Sequence, residues 1–324
     1  HHGANELAKR LADFLEVPAS ITTASEATFG VSLDDPPDGW ILANPDAVKS
    51  VTKKLLNGNS LSLFGQADWL ENSDLPLSSV TIADDADIVV TETNIAPTGN
   101  QLVYHPQSLA IGVGTIRGCS PEELVALVSE TLKRIKFSSH AIGTIVSIDV
   151  KADERAVHEL ARVYGIKPRF FSAEALSKQA SRLLNPSSIV MAEVGCPGVA
   201  EGAALAAVGA AGELRVAKTK SANATCAIGI SPTPLRPQEI GTGRGKLTVI
   251  GVGPGDRTSR TAEMKHCLGE AEIVVGYHLY IDLVKDLVHS KSLNPYELGQ
   301  EKERVTFALE QAGQGNNVAL VCSG

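Results

Sequence analysis

A cluster of glycines after an apolar run is the most chemically suggestive segment of this sequence. The stretch from Leu247 to Ala262 reads LTVIGVGPGDRTSRTA: an apolar run, three glycines within five residues, and a polar helix start. This order lets backbone N–H groups and a helix N-terminus approach a ligand closely. The stretch predicts a ligand loop. The alternative is a tight strand-to-helix turn in which Asp256 only begins the helix.

Two residues of this loop argue against a phosphate ligand. Pro254 has no N–H group to donate, and Asp256 stands where a dinucleotide loop requires its third glycine. A carboxylate at that position repels phosphate, and the G-K-[ST] sequence of a P-loop is absent. An NAD-dependent enzyme is therefore disfavoured. A nucleoside with a positive centre suits the loop better, and S-adenosylmethionine is such a molecule.

The whole segment from residue 245 to residue 324 resembles the tetrapyrrole (corrin and porphyrin) methylases. The resemblance rests on the GxGPGD loop, on Thr261, on the run GYHLYIDLV at 276–284, and on Glu301 with Arg304. Within that superfamily these runs are most similar to the precorrin-3B C17-methyltransferases. The resemblance implies S-adenosylmethionine as cofactor, bound by two loops that comprise Gly251, Gly253, Pro254, Gly255, Asp256, Ser323 and Gly324.

The same resemblance has further implications for substrate, assembly and completeness. It implies a tetrapyrrole substrate and a homodimer formed through this part of the chain. Tyr277 and Tyr280 either line the tetrapyrrole side or are ordinary core or surface residues. Because the sulfonium is already activated, methyl transfer needs positioning more than an acid or base, and no catalytic base is predicted here. The chain stops at Ser323-Gly324, directly after an apolar run, so this domain is expected to be incomplete.

Glycines and cations recur at predicted strand ends in the middle of the chain. Backbone amides, small residues and cations are what a large polycarboxylate ligand requires. The alternative is that they are ordinary turn glycines and surface cations. The predicted substrate-binding residues are Gly114, Arg117, Gly195, Gly198, Lys218 and Lys220, with Tyr277 and Tyr280 from the methylase-like part.

This middle part resembles the cobalt-precorrin-5A hydrolases of the CbiG/CobE family over residues 101–230. The matching runs include SLAIGVGTIRGCSPEEL, DVKADE, RFFSAEAL, GCPGVAEGAAL and AKTKSANATCAIG. One departure is an exchange of residue types, because Thr115 and Cys119 stand in the opposite order to the usual family pattern. The resemblance implies a corrinoid substrate whose lactone is opened with release of a two-carbon aldehyde.

Glu201 is the predicted catalytic residue for that hydrolysis. It lies one turn into a helix otherwise made of Gly, Ala, Val and Leu. An acid there is either a general base that activates water or a partner of the helix dipole. Both readings are left open by the sequence.

The N-terminal segment resembles the second half of the same hydrolase family's N-terminal domain. The matching pieces are GAN-x-L-A, ITTA and NPDAVKSVTKKLLNG, whereas Glu26 replaces the aspartate that usually follows ITTA-x. His1 and His2 begin the chain with no third metal ligand nearby, and no metal site is predicted.

Composition limits the classes of protein to which the chain can belong. The 324 residues are 43% hydrophobic, the formal net charge is −8, and no apolar run reaches about 18 residues. These values disfavour nucleic-acid binding and a membrane span. The five cysteines form no C-x-x-C pair and are expected to be reduced residues of a cytoplasmic protein.

Strand-like and helix-like segments alternate along nearly the whole chain. This pattern predicts an α/β protein of several small domains with largely parallel sheets, the last an incomplete tetrapyrrole-methylase N-terminal domain. A helix is predicted at Ala4–Leu15, strands at 60–64 and at SIVMAEVG (188–195), and a linker at 231–245. The predicted domains are 1–75 (hydrolase N-terminal remainder), 76–105 (connecting segment), 106–230 (hydrolase C-terminal), 231–245 (linker) and 246–324 (truncated methylase).

The two resemblances rest on separate runs of sequence, and both families belong to one pathway. Together they predict a bifunctional enzyme of cobalamin biosynthesis, a cobalt-precorrin-5A hydrolase joined to a precorrin-3B C17-methyltransferase. The alternative is that the hydrolase-like part only binds corrinoids and that chemistry is confined to the methylase part.

Overall fold

The computed structural model describes residues 28–253 and 255–323. Their contacts divide them into two compact units. The first comprises residues 28–110, 128–143 and 230–235, and the second comprises 111–127, 144–229 and 236–323. The expected helix at Ala4–Leu15, together with His1, His2, Glu26, Pro254 and Gly324, lies outside the described residues.

The first unit contains a five-stranded mixed sheet in the order β1-β5-β4-β2-β3. Strand β1 is antiparallel to β5, and the remaining neighbours are parallel. A core of large apolar side chains lies beside it, where the hydroxyl of buried Tyr104 donates to the carbonyl oxygen of Leu33 at 2.5 Å. The elements are β1 Trp40–Leu42, α1 Val48–Leu56, β2 Leu61–Phe64, α2 Asp68–Glu71, β3 Leu77–Ser79, β4 Ile88–Val90 and β5 Leu102–Pro106.

The polar stretch between residues 66 and 100 is more ordered than its composition indicates. The sequence predicts one strand there, and the structure has α2, β3 and β4. Leu70 and Leu75 are buried in the core, and the Trp69 ring packs edge-on against Tyr104 at 5.3 Å between centroids. These few apolar residues anchor the otherwise polar stretch to the core. The composition of the stretch does not reveal this packing.

The second unit contains a six-stranded sheet in the order β11-β8-β7-β6-β10-β9. Strands β7 and β8 are parallel, and three residues join the neighbouring strands β9 and β10 as the expected final hairpin. The elements along this stretch are β6 Leu109–Thr115, α3 Pro121–Arg134, β7 Ile142–Ile148, α4 Arg155–Val163, β8 Pro168–Phe171, α5 Ala173–Ser177, α6 Ser188–Val194, α7 Val199–Val208, β9 Glu213–Lys220, β10 Ala224–Ile230 and β11 Thr242–Gly243. Residues 109–110, 128–134, 142–143 and 230 of these elements are among those of the first unit.

Helix α7 lies unusually close to this sheet because small residues meet glycines. A Cβ atom built on Gly112 would stand 2.0 Å from the carbonyl oxygen of Ala200, and one on Gly229 would stand 2.9 Å from that of Ala204. Both distances are below any normal contact. The glycines of β6 and β10 therefore allow α7 to seat directly on the sheet, which places its first turn at the strand ends.

The segment predicted as a strand at 188–195 is a helix, and that prediction was wrong. Ile189, Val190 and Met191 suggest a strand by type. Ser187, however, accepts a hydrogen bond from the Val190 amide as an N-cap, and Gly195 ends α6 in the left-handed conformation at φ 75°. These two capping positions decide the local structure.

The segment expected to be a linker at 231–245 is in part bound to the second sheet. Strand β11 pairs antiparallel with β8. The guanidinium of Arg169 donates to the carbonyl oxygens of Ile240 at 2.6 Å and Gly241 at 2.9 Å. Proline and glycine content indicated irregular backbone but not these tertiary bonds.

A four-stranded parallel sheet completes the second unit, in the order β12-β15-β13-β14. Helix α9 packs on one side of it and α10 contributes to a smaller cluster with Val275 and Val318. The elements are β12 Leu247–Gly251, α8 Ala262–Glu270, β13 Ile273–Tyr277, α9 His278–Val288, β14 Ser292–Tyr296, α10 Glu301–Gly313 and β15 Val318–Cys322.

These sheets confirm the predicted fold class, an α/β protein with several largely parallel sheets. Short 3₁₀ turns connect many of the elements, at Pro45–Ala47, Ala83–Asp85, Ser139–Ala141, Asp149–Lys151, Ala180–Arg182 and Pro237–Glu239. The domain boundaries stay predictions. The one proposed at residue 75 falls between β2 and β3 of the first sheet.

Candidate functional site

A cavity of about 530 Å³ opens at the carboxyl ends of β6 and β7. The beginning of α7, the β9–β10 hairpin, and α6 with the turn before it contribute the rest of its wall. Carboxyl ends of strands in α/β sheets are the common location of ligand sites. The lining residues that carry polar or charged side chains are Thr115, Arg117, Lys151, Asn185, Ser187, Glu193, Glu201, Lys218, Lys220, Ser221, Asn223 and Thr225.

The cavity wall has more positive than negative side chains. Arg117, Lys151, Lys218 and Lys220 are the cations, against two glutamates. Burial lowers the pKa of Lys151, whose ammonium lies 3.9 Å from a carboxylate oxygen of Glu154. Lys151 is the cation most withdrawn from water, which strengthens its attraction for a carboxylate, whereas Arg117 and Lys220 are exposed. The wall is therefore suited to an anionic ligand.

Arg117 is held in place by its own neighbours rather than extended freely. Its guanidinium donates to Asp153 Oδ1 at 2.6 Å and to the carbonyl oxygen of Val150 at 2.8 Å. The hydrogen bond to Asp153 raises the pKa of Arg117 and lowers that of Asp153. Such a fixed guanidinium presents its remaining N–H groups in a defined direction.

Glu201 is 2% exposed and accepts four hydrogen bonds. Oε2 accepts from the amides of Leu184 and Asn185, both at 2.9 Å. Oε1 accepts from the Asn185 side chain at 2.8 Å and from the Lys218 amide at 2.9 Å. Burial opposes ionisation, yet these bonds outweigh it and hold the pKa of Glu201 below its usual range. The geometry favours a structural role over a general base, and the catalytic assignment stays a prediction.

The predicted substrate residues divide between two places. Gly114, Arg117, Gly198, Lys218 and Lys220 all line the cavity with Glu201. Gly195 instead caps α6, and its carbonyl oxygen accepts from the Ser177 hydroxyl at 3.1 Å.

Sequence reasoning missed several polar residues that line the same cavity. Asn185 and Ser187 come from the turn LNPSS, and Asn223 comes from the hairpin turn SANA. The turn residues were a visible signal for loops. That these two loops meet over the end of β6 is decided by tertiary packing.

The two predicted cofactor loops meet at one edge of the third sheet. Strand β12 is parallel to β15 with Gly251 opposite Cys322, and the Val252 amide donates to the Cys322 carbonyl oxygen at 2.9 Å. Gly253 and Ser323 therefore follow adjacent strands at the same carboxyl edge. Gly253 has φ 61°, and a Cβ atom there would meet nothing within 4 Å, so the loop leaves open space beside it.

The remaining loop residues shape the backbone. Gly255 has φ 92°, and a Cβ atom there would stand 2.8 Å from Leu283. Asp256 accepts from the amides of Thr258 at 2.8 Å and Ser259 at 2.9 Å, and from both of their hydroxyl groups. The hydroxyl bonds from Ser259 and Thr258 are the main reason that the pKa of Asp256 lies well below its usual range. Thr258 and Ser259 were not singled out from the sequence.

Tyr277 and Tyr280 lie at this same edge and away from the cavity in the second sheet. Tyr277 ends β13, next to β15, and Tyr280 lies in the first turn of α9. Their rings pack edge-to-face with centroids 5.4 Å apart. The pair forms an aromatic surface beside the two glycine-containing strand ends.

Residues 28–253 and 255–323 offer neither a metal site nor a single membrane-spanning helix. No group of three His, Cys, Asp or Glu side chains in these ranges is arranged to hold a metal ion. Nor does any single described helix combine the length and apolar character needed to cross a membrane. Helices α6 and α7 together have the length and composition of a membrane span, but they are bent by 78° relative to each other.

The fold defines a class of α/β protein in which a sheet with a cation-lined cavity at its strand ends is followed by a segment built on a four-stranded parallel sheet. Residues 109–229 match the family model described as cobalamin synthesis G C-terminus, and residues 246–324 match that of the tetrapyrrole (corrin/porphyrin) methylases. Over 131 residues the chain is 38% identical to protein CobE of a Sinorhizobium species, covering 40% of this chain and 84% of that protein. The chain belongs to the cobalamin synthesis G C-terminus family, fused to a tetrapyrrole methylase segment.

Two longer relatives are each similar to one part of the chain. The chain is 30% identical to the cobalt-precorrin-5A hydrolase of Priestia megaterium over 250 residues, which are 71% of this chain and 66% of that enzyme. It is 45% identical over 78 residues to a probable cobalt-factor III C(17)-methyltransferase of Salmonella typhimurium, covering 24% of this chain and 32% of the relative. The chain thus spans about two thirds of the hydrolase and about a third of the methyltransferase. These relatives confirm the predicted fusion and its place in cobalamin biosynthesis.

Proposed function

We propose that this chain belongs to a bifunctional enzyme of corrin-ring synthesis. Its first part acts as a cobalt-precorrin-5A hydrolase, and its methylase part transfers a methyl group to C17 of a tetrapyrrole. One relative is named as a hydrolase and the other as a methyltransferase. This chain carries a segment of each family, with the hydrolase-like segment first.

The observation that carries the first half of the proposal is the positive cavity in the second sheet. Corrinoids are polycarboxylates, and the wall supplies Arg117, Lys151, Lys218 and Lys220 beside the small residues Gly114 and Gly198. Lys218 and Lys220 are two apart on strand β9 and so face the same side. A carboxylate-bearing edge of the ligand fits this arrangement of charge.

The methylase part fits S-adenosylmethionine by the geometry of its loops. Open space lies beside Gly253, and the strand that ends at Gly251 adjoins the one that precedes Ser323. Gly251, Gly253, Gly255 and Ser323 would hold the cofactor, with Pro254 and Gly324 of the same two loops. When bound, the cofactor supplies an activated methyl group. Tyr277 and Tyr280 present the adjoining aromatic surface to the tetrapyrrole, and we propose a homodimer through this part.

The test of the cavity is corrinoid binding by charge-removing variants of the full chain. Lys218→Met with Lys220→Met should raise the Kd for the polycarboxylate cobyrinic acid by about tenfold to a hundredfold, since the two charge-assisted contacts together contribute about 1.5–3 kcal/mol. The measurement is a titration that follows the corrinoid absorbance, at fixed ionic strength.

A matched control removes a positive charge from the same strand but outside the cavity. Arg215→Met is suitable, because Arg215 is 59% exposed and lies 3.8 Å from Glu213. Its Kd should stay within about twofold of the unsubstituted protein. Equal weakening by both sets of substitutions would show that only overall charge matters and would refute the assignment of the cavity.

A second candidate is favoured by the hydrogen bonding of Glu201. Because both of its oxygens already accept from N–H groups, the first part is alternatively a corrinoid-binding module without hydrolase activity. Incubation with cobalt-precorrin-5A followed by an acetaldehyde assay distinguishes the two. Aldehyde release supports the hydrolase, whereas tight binding without aldehyde supports the binding module.

A further inference from the structure

The buried carboxylate of Glu201 connects the turn before α6 to strand β9, and both border the cavity. Glu201 on α7 accepts hydrogen bonds from two consecutive amides, Leu184 and Asn185, and from the amide of Lys218 on β9. The Lys218 ammonium in turn donates to the carbonyl oxygen of Asn185 at 2.8 Å. The three residues form a closed network in which Asn185 and Lys218 both line the cavity.

Helix α6 begins three residues after Asn185, and few buried contacts fix its position. None of its seven described residues is buried, and Ile189 is 70% exposed. The helix nevertheless contributes Val190, Glu193 and Val194 to the cavity wall. Besides the Glu201 network, the Ser187 amide donates to the Pro197 carbonyl oxygen at 2.7 Å. An element with so few buried contacts depends on polar anchors for a single position.

We propose that Glu201 is a positioning residue that fixes Asn185 and Lys218, and through them the start of α6, as one wall of the cavity. A buried ionised carboxylate is stable only where donors surround it, and here all its donors come from the two elements that it joins. The anchoring itself does not depend on the ligand. Its consequence for binding rests on the proposed corrinoid function.

The substitution Glu201→Gln tests the anchoring directly. A glutamine keeps one acceptor oxygen and places an N–H₂ group where two donors point, because each oxygen of Glu201 receives two hydrogen bonds. Either the pair of amides at Leu184 and Asn185 or the pair from Lys218 and Asn185 then loses its acceptor. Hydrogen–deuterium exchange of the full chain, without ligand, should show exchange at least about tenfold faster in residues 184–194. Peptides from the first sheet should be unchanged.

Two more variants keep the test decisive. Asn185→Ala removes one of the four hydrogen bonds to Glu201. Because Asn185 is exposed and α7 keeps its sequence, this variant provides the test if Glu201→Gln does not fold. It should accelerate exchange in the same peptides by about threefold to tenfold. Glu213→Gln is the matched control, an exposed glutamate on β9 whose loss should leave these peptides unchanged. Unchanged exchange in residues 184–194 for both Glu201→Gln and Asn185→Ala overturns the proposal.

Ligand binding separates positioning from catalysis. If Glu201 positions the wall, Glu201→Gln raises the Kd for cobyrinic acid by about tenfold or more, and the rate of aldehyde release at saturating cobalt-precorrin-5A falls little. An unchanged Kd together with abolished aldehyde release overturns the proposal and identifies a general base. If the unsubstituted protein binds no corrinoid, the proposed function fails, while the exchange experiment still decides the anchoring.

Discussion

At the scale of single residues, two acids that look chemically available are satisfied by their surroundings. Glu201 accepts from backbone and side chain on two other elements, and Asp256 accepts from the next two polar residues of its own loop. In both cases the donors lower the pKa of the carboxyl group, so these acids are ionised at neutral pH. An ionised carboxylate with all its acceptor positions occupied stabilises a backbone shape more readily than it moves a proton.

The role of Asp256 is open to a residue-scale test. Asp256→Ala removes every acceptor from Thr258 and Ser259, whereas Asp256→Asn keeps one oxygen. We expect the alanine variant to raise the Kd for S-adenosylmethionine at least about tenfold and the asparagine variant to raise it by less than about threefold. The measurement is calorimetry on a polypeptide that covers the full length of the methyltransferase relatives.

The other outcomes of that experiment are equally informative. Equal losses in both variants would indicate that the negative charge itself contacts the cationic cofactor. An unchanged Kd in both would mean that the loop is only a turn. Ser79→Ala, at an exposed position of the first unit, is a control that should leave this Kd unchanged.

At the scale of elements, the cavity depends on how closely α7 approaches the sheet. This helix is almost wholly buried and made of small residues, and it seats on Gly112 of β6 and Gly229 of β10. The close seating places Gly198 and Glu201 beside the carboxyl end of β6. A Cβ atom built on Gly114 at that end would stand 2.8 Å from the Thr225 hydroxyl oxygen. The glycines of this sheet are therefore packing residues as well as candidate ligand residues.

Gly112→Ala tests the close packing. The added methyl group would stand 2.0 Å from a backbone oxygen, which no side-chain rotation relieves. We expect the free energy of unfolding to fall by about 1–3 kcal/mol, measured by urea denaturation. Gly269→Ala in α8 is the control, because a Cβ atom there meets nothing within 4 Å and alanine favours a helix by up to about 1 kcal/mol. A loss of similar size in both variants would contradict the packing argument.

At the scale of the whole molecule, buried titratable groups make stability fall in acid. Burial lowers the pKa of His105 below 6.5, although its ring nitrogen lies 2.5 Å from the Thr91 carbonyl oxygen. Glu201 is buried and Glu272 is exposed, and in both cases hydrogen-bond donors hold the pKa of the carboxyl group below 4.5. All three groups bind protons more readily in the unfolded chain than in the folded chain.

The unfolding free energy should therefore decrease in two steps as the pH falls. Unfolded His105 takes up a proton below pH 6.5 while the folded form stays neutral, and this costs up to about 1.4 kcal/mol per pH unit. The carboxylates stabilise fully above pH 4.5 and lose their contribution as the pH falls through their folded pKa values. Urea unfolding between pH 7.5 and about 3 follows the first step and the onset of the second.

The His105 step has its own control. His105→Gln should flatten the pH dependence just below pH 6.5, whereas His266→Gln should not, because the His266 side chain is 71% exposed. Identical slopes in the two variants would show that His105 does not carry the first step.

Local sequence patterns predicted most of the elements and the residue types at the strand ends. Alternating apolar periodicity predicted the sheets, and the glycines and cations at residues 114, 117, 198, 218 and 220 were predicted because strand ends before helices are where α/β proteins bind ligands. The resemblance to two families rested on runs of local sequence in the same way. The fold class and the two resemblances are confirmed because each depends on neighbours within a few residues, whereas the ligand-binding role of these strand-end residues stays a prediction.

Tertiary structure alone decided which of those residues meet and what the acids do. Asn185, Glu201 and Lys218 come from three elements, and nothing local indicates that the donors of two of them converge on the carboxylate of the third. Likewise α6 was mistaken for a strand because its Ile and Val favour strands, while its caps favour a helix. Hydrogen bonds between distant elements are formed only when the chain has packed, so sequence patterns supply the groups and packing supplies their partners.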